Sequence, residues 1–298
     1  MSSETPETIT PELLRSWGLP SSGGDKSERG TVLVAGGARQ TPGSVLLAAE
    51  TALRVGAGKV QIATAADTAA SLAVALPEAF VDPLPVLQDG ELAVAGADRI
   101  VELADAADVV LLGPGLGDPD AANLLLAQVV PRLSGALVLD ALGTAYLTGH
   151  LDGVRHLAGR VVLTPNVVEA AAMLEREVEE VGEDELGAAR ELADGSGAVV
   201  LTGAEVSYVV APARGSWSLL SASAGLATAG SGDVKAGAVA GLVARGASPE
   251  KAAALAAWAH ARAGERLGRD GPGFLARDVV RELPRALALL DDGADGSS

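Results

Sequence analysis

The residues best placed to do chemistry form the run Gly225-Leu226-Ala227-Thr228-Ala229-Gly230-Ser231-Gly232-Asp233, which leads into a long Ala/Val/Gly stretch of helical character. Glycines there let backbone N–H groups close on an anion, and a helix N-terminus adds positive potential at the same spot. Gly230, Ser231 and Gly232 are therefore candidate phosphate contacts. Asp233 falls in the first helical turn, where its carboxylate can orient a hydroxyl meeting the cradled phosphate or accept its proton. The competing reading is a flexible loop with Asp233 as an N-cap. A strand and a hairpin ahead of the loop, and a Gly-interrupted helix over 236–246 behind it, favour the ligand site.

Other loops carry weaker signals. Gly113-Pro114-Gly115-Leu116-Gly117 directly follows a buried aliphatic run, where open α/β sheets bind ligands, although Gly-Pro-Gly also simply ends a strand. The same two readings apply to Gly36-Gly37-Ala38 and on to Gly43-Ser44. Asp140 is a strand-end carboxylate and a candidate ligand contact. In Thr164-Pro165-Asn166-Val167-Val168-Glu169, Asn166 and Glu169 share a helical face and could bind a hydrated Mg²⁺ through Glu169. The alternative is an N-cap Asn with a reciprocal Glu. His150 and His156 fall in a polar loop and read as solvated, and the tryptophans receive no function.

These loops need a frame. Short aliphatic runs at 31–35, 59–64, 109–112, 136–140, 161–164 and 198–201 read as buried parallel strands, with helical stretches at 44–55, 120–133, 167–176 and 184–193 between them. The alternation is βαβ. An antiparallel hairpin is expected from 206–211 and 216–221, followed by helices at 233–245, 249–267 and 277–289. The expected layout is an N-terminal extension over 1–25, one α/β domain over 26–290 and a frayed acidic tail over 291–298.

Composition narrows the partners. A formal charge of −17 over 298 residues argues against nucleic acid and anionic membranes. Any phosphate ligand must therefore lean on backbone N–H groups. Without cysteine there is no disulfide or thiolate chemistry, and the three histidines lack metal-ligand spacing. Neither a leader pattern nor a membrane-length apolar run occurs, so a cytoplasmic protein is expected.

Taken in order, the motifs resemble the NAD(P)H-hydrate dehydratase family, the carbohydrate-kinase-related branch of the ribokinase-like superfamily, over about residues 26–287. Most specific are Gly30-Thr31-Val32-Leu33-Val34-Ala35-Gly36-Gly37-Ala38-Arg39, then Pro42-Gly43-Ser44, then Ala52-Leu53-Arg54-Val55-Gly56-Ala57-Gly58-Lys59-Val60. The runs 112–117, 137–142 and 229–234 match its GPGLG, strand-end aspartate and G-[ST]-GDV motifs. The resemblance implies a ribokinase-like three-layer αβα sandwich with a mainly parallel central sheet. It implies removal of water from hydrated NADH or NADPH with ADP or ATP as phosphoryl donor, Mg²⁺, and a homo-oligomer, with a tetramer expected. Phosphorylation would turn the hydrate's hydroxyl into a good leaving group.

The resemblance also assigns residues: Asp233 as catalytic, and Thr202, Gly203, Ala204, Glu205, Val206, Gly230, Ser231 and Gly232 on the nucleotide. Gly43, Ser44, Gly115, Gly117, Asp140, Asn166 and Asp233 fall to the substrate. About thirty residues before the first strand leave no room for the epimerase domain that many members carry, so a stand-alone dehydratase is expected. The chain departs from the family in three places. Thr164 to Glu169 replaces Thr-Pro-His-Pro-Gly-Glu, Thr202-Gly203 replaces Lys-Gly, and Gly43-Ser44-Val45 replaces Gly-Ala-Ala. The first is closer to the Asn-x-x-Glu of vitamin kinases, which makes such a kinase the alternative activity. The lost lysine motivates a third reading, a non-catalytic nucleotide-binding homologue.

Overall fold

Aliphatic runs of three to seven residues cut short by glycine or proline become strands here, while the Ala-rich stretches between them have the length to form helices. The computed structural model describes residues 5–20, 25–203, 205–220, 223–269, 271 and 273–291. The strands are β1 (Glu7–Thr8), β2 (Thr31–Ala35), β3 (Lys59–Ala65), β4 (Phe80–Leu84), β5 (Val109–Leu112), β6 (Ala136–Leu139), β7 (Val161–Leu163), β8 (Val199–Thr202), β9 (Val206–Ala211) and β10 (Gly215–Leu220). The helices are α1 (Pro11–Ser16), α2 (Pro42–Arg54), α3 (Ala66–Ala75), α4 (Ala97–Ala104), α5 (Pro119–Val129), α6 (Val167–Leu174), α7 (Val178–Glu183), α8 (Glu185–Ser196), α9 (Ser231–Ala244), α10 (Pro249–Gly268) and α11 (Ala276–Asp291).

All ten strands join one sheet in the order β1-β10-β9-β8-β7-β6-β5-β2-β3-β4. From β8 through β4 every neighbouring pair is parallel; β9 runs antiparallel to both β8 and β10. Alternate side chains feed two cores. Val32, Val34, Val109 and Leu111 face the layer of α2, α9, α10 and α11, while Leu33, Val110, Leu112 and Leu139 face that of α4, α5, α6 and α8. The architecture is the expected αβα sandwich with a mainly parallel sheet.

Register then sets the site. Ala35 pairs with Leu112, Leu112 with Leu139, and Leu139 with Leu163, so the segments after β2, β5, β6 and β7 emerge side by side at the sheet's carboxyl end. There the glycine loops interlock. Gly37 N–H donates to the Pro114 carbonyl and Ala38 N–H to that of Gly115, both at 2.8 Å. A Cβ on Gly36 would lie 2.2 Å from the Pro114 oxygen, and one on Gly113 1.9 Å from the Asp140 oxygen. These positions take glycine because backbone fills the space a side chain would need.

The structure adds elements that the pattern did not show. The segment expected as an extension holds β1, which pairs with β10, and α1, whose Arg15 guanidinium donates to the Leu290 carbonyl at 3.1 Å. Strand β4 contains Asp82 and Pro83, which dilute the strand signal, and α3 is too uniformly Ala-rich to show an apolar face. Helices α4 and α7 also lie outside the expected set. The polar loop around the first two histidines is 3₁₀ helix at Ala141–Leu147 and Leu151–Leu157, with His150 edge-on to Tyr146 at 4.7 Å between centroids. Of the expected acidic tail only Asp291 is described, as the end of α11, and Ser221 of the expected hairpin lies outside the described residues.

Candidate active site

Helices α2 and α9 build the centre of the site. They pack in close contact because α9 offers glycines to α2: a Cβ on Gly237 would lie 2.3 Å from the Ala48 oxygen, and one on Gly241 2.7 Å from the Ala52 oxygen. The Gly-interrupted helix therefore has a packing cause. Both helices start at the sheet's carboxyl end, so Pro42-Gly43-Ser44 and Ser231-Gly232-Asp233 open side by side. The Ser44 and Ser231 N–H groups turn back to the Thr41 and Thr228 carbonyls, at 3.3 and 3.2 Å, and the two positive dipole ends beside them make a natural seat for an anion.

The glycines of this seat divide by cause. Gly230, the residue before α9, has φ +86° and a hypothetical Cβ 2.5 Å from Leu47, so the fold itself requires it. Gly232 and Gly43 are different. Neither has any atom within 4 Å of a hypothetical Cβ, so the space in front of both is open. Gly232 is exposed, while Asp233 beside it is half-buried. A phosphate group fits a cradle that a side chain would fill.

Asp233 is held above the ordinary carboxylate range by burial, with the neighbouring Ser44 hydroxyl pulling the other way. Asp140 sits deeper, 4% exposed, and accepts the Thr164 hydroxyl at 2.7 Å. Burial pushes its carboxyl up to about 7; the Thr164 hydroxyl opposes this, while Asp233 and Glu169 raise it further. The residue after it, Ala141, has φ +50°, an uncommon conformation for a side-chain-bearing residue and one that turns the chain sharply under Asp140.

Asn166 and Glu169 form a capping box on α6. Asn166 Oδ1 accepts from the N–H groups of Val168 and Glu169, at 2.8 and 2.9 Å, and Glu169 Oε2 accepts from Asn166 N–H at 2.9 Å. The second Glu169 oxygen takes the Asn166 side-chain amide at 2.7 Å. The helix-capping alternative thus accounts for this pair fully. Among the described residues no group of three acidic or imidazole side chains could cage a metal. What the site does offer is carboxylates around an anion seat, the setting for an Mg²⁺ that keeps its waters and rides on phosphates.

The remaining expected contacts spread around this centre. Gly115 is buried, its hypothetical Cβ 2.5 Å from the Thr41 oxygen and 3.0 Å from Ser44 Cβ, so it packs beneath the start of α2. Gly117 is exposed and its N–H donates to Glu91 Oε2 at 3.1 Å. The Thr202 hydroxyl donates to the Pro165 carbonyl at 2.8 Å, and Gly203, at φ +103°, makes the tight turn into β9. Glu205 is exposed and Val206 begins β9; Ala204 lies outside the described residues.

Sequence reasoning missed two participants. His260, on α10, is 8% exposed and lies 2.9 Å from the Ser231 hydroxyl. Burial lowers its imidazole to about 3, with Lys235 contributing, so it is neutral and can accept a hydrogen bond from the Ser231 hydroxyl. Lys235, two residues past Asp233, feels Asp140, Glu169 and Glu185, while burial lowers its ammonium. The histidine had no local signal, its partner being 29 residues away. A lone cation in a helix made mostly of Ala, Val and Gly was a signal that could have been read.

A family model described as NAD(P)H-hydrate dehydratase matches residues 32–285. An ADP-dependent (S)-NAD(P)H-hydrate dehydratase of Xanthomonas campestris is 38% identical over 290 residues, 96% of this chain and 98% of that protein. The bifunctional NAD(P)H-hydrate repair enzyme Nnr of Escherichia coli is 34% identical over 279 residues, 92% of this chain but 51% of that enzyme. The chain thus spans about half the length of that relative. Among solved structures, a ribokinase-like superfamily protein of Enterococcus faecalis superposes with TM-score 0.82 at 22% identity, covering 97% of this chain and 98% of that one. The ADP/ATP-dependent NAD(P)H-hydrate dehydratase of Bacillus subtilis, co-crystallised with ATP/Mg²⁺, gives 0.77 at 24%, covering 97% and 100%.

The fold is therefore ribokinase-like, and two of its helices open side by side at the sheet's carboxyl end. Within that class the chain belongs to the NAD(P)H-hydrate dehydratase family.

Proposed function

We propose that this chain removes water from hydrated NADH and NADPH with ADP or ATP as phosphoryl donor. The observation that carries the reading is the convergence of two helix N-termini on Asp233, with open space in front of Gly43 and Gly232, in a chain of this family. The hydrate's hydroxyl lies at Asp233, among Ser44, Asp140 and Asn166. Asp233 takes the hydroxyl proton, and burial raises its affinity for one. The hydroxyl oxygen bonds to the terminal phosphorus as the nucleotide's bridging oxygen leaves, giving AMP from ADP or ADP from ATP. Backbone N–H groups at Gly230 to Gly232 hold the charge on the transferring group.

The carbon–oxygen bond then breaks with both electrons going to phosphate. A proton leaves the neighbouring carbon, and the ring double bond returns as NADH or NADPH. Mg²⁺ when bound would neutralise phosphate charge; Glu169, whose two oxygens accept hydrogen bonds from Asn166, is the residue that would help to hold it. Thr202 to Val206 border the nucleotide, and Gly115 and Gly117 the substrate. The assembly we assign is a homotetramer in the cytoplasm, on the strength of the resemblance; among the described residues no helix is long and apolar enough to cross a membrane.

The test follows absorbance at 340 nm as NADH forms from its hydrate with ADP or ATP, wild type beside Asp233→Asn. The wild type regenerates NADH and the variant does not, while ADP affinity changes little. No NADH from the wild type with nucleotide bound would refute the reading.

A further inference from the structure

The segment after β8, Thr202 to Val206, carries no cation and one carboxylate, Glu205, while Thr202 spends its hydroxyl on the Pro165 carbonyl. In a chain of net charge −17, a nucleoside di- or triphosphate bordered by Asp140, Glu169 and Asp233 gains from a side-chain cation beside the backbone donors and Mg²⁺. Lys235 has the right position. It follows Gly232 by three residues and Ser231 by four on α9, so the three share one helix face. Helical side chains lean toward the helix N-terminus, which directs a long lysine back toward the first turn of α9.

Its surroundings agree with a ligand role. Helix α9 is buried on nearly all sides between α2 and α10, and Lys235 and Asp233 are the charged residues along it. A lysine whose stem is buried while its ammonium is unpaired and open to solvent can take up an anionic ligand. Lys235 is half-buried, and among the described residues no carboxylate lies within 4.0 Å of its ammonium and no hydrogen-bond partner is present. Asp140 from the end of β6, Glu169 from the first turn of α6 and Glu185 from the start of α8 act on it from farther away. Among the described residues its three N–H donors are thus left without a direct protein partner, within electrostatic reach of Asp140, Glu169 and Glu185.

We propose that Lys235 is the phosphate-binding cation of this site, reaching from α9 to the terminal phosphate of the bound nucleotide and to the phosphoryl group in transit. The assignment rests on the nucleotide-dependent reading above, and it differs from that reading in what would overturn it.

The experiment is calorimetric titration of the wild type, Lys235→Met and Lys235→Arg with ADP, ATP and AMP, with melting curves alongside. Loss of one charge-assisted hydrogen bond weakens ADP and ATP binding by about 10- to 100-fold in Lys235→Met. AMP, which lacks the terminal phosphate, binds the variant within about 2-fold of wild type, and Lys235→Arg recovers most of the lost affinity. Turnover falls in Lys235→Met by more than the affinity loss explains, because the contact strengthens as charge moves onto the phosphoryl group. Equal losses for ADP and AMP, or unchanged ADP affinity, overturn the proposal and leave Lys235 as a counter-charge for the carboxylates. A wild type that binds ADP through Lys235 yet leaves the hydrate untouched overturns the proposed reaction and keeps the cation.

Discussion

Asp140 offers a quantitative test of the electrostatics, since replacement by asparagine keeps an acceptor for the Thr164 hydroxyl while removing the titrating group. Its carboxyl moves from 3.8 to about 7 on folding, chiefly by burial. A raised folded-state value means that the native state binds the proton more tightly than the unfolded chain. Stability is therefore highest below the unfolded value and falls as pH climbs from about 4 to about 7. At about 1.4 kcal/mol per unit the full loss is about 4 kcal/mol, of which about 2 kcal/mol develops between pH 5.5 and 7.

An unfolding entropy of about 2.1 cal/mol/K per residue gives about 0.6 kcal/mol/K for 298 residues. The Tm advantage of Asp140→Asn over wild type should thus widen by about 3 °C from pH 5.5 to 8.5, a range chosen to avoid the pI near 4.5. The assay is paired melting curves in matched buffers. A Tm difference that stays constant with pH, or narrows as pH rises, would refute the reasoning.

Two further outcomes separate nucleotide contacts from residues that do not touch the nucleotide. Gly232→Ala places a methyl group in open space within a helix, so the melting temperature should hold or rise while ADP affinity drops at least about 10-fold by titration. Asn166→Ala removes a capping box and should cost about 1 kcal/mol in denaturant unfolding, with ADP affinity within about 2-fold of wild type.

What could be read from the sequence was whatever lives in short runs. Strands β2, β5 and β9 fall on the expected residues because consecutive aliphatic side chains flanked by glycine announce themselves locally. The seat around Gly232 was legible for the same reason, its chemistry lying in adjacent residues. Asp140 could be seen as a strand-end carboxylate, but its proton affinity depends on Thr164, Asp233 and Glu169 arriving from other elements. Ser231 and His260 meet only because α10 packs on α9. At Asn166 two readings shared one spacing, and only side-chain geometry distinguishes a capping box from a free carboxylate. Strand β4 escaped notice because Pro83, tolerable at the last strand of a sheet, argues against any strand in isolation.

The last strands of the sheet also decide how the molecule meets its own kind. On one flank β4 ends the ladder with Pro83, which has no N–H to offer another chain, while Phe80 stands 54% exposed beside it. On the other flank, two residues of β1 lie along β10, and Trp17 meets Trp217 edge-on at 5.3 Å. Among the described residues, that short cover separates the backbone of β10, with its Trp217 and Leu219, from a free strand nearby. Trimming the chain past Ile9 would turn a closed border into an adhesive one, and the loss would register as aggregation during expression well before any change at the anion seat.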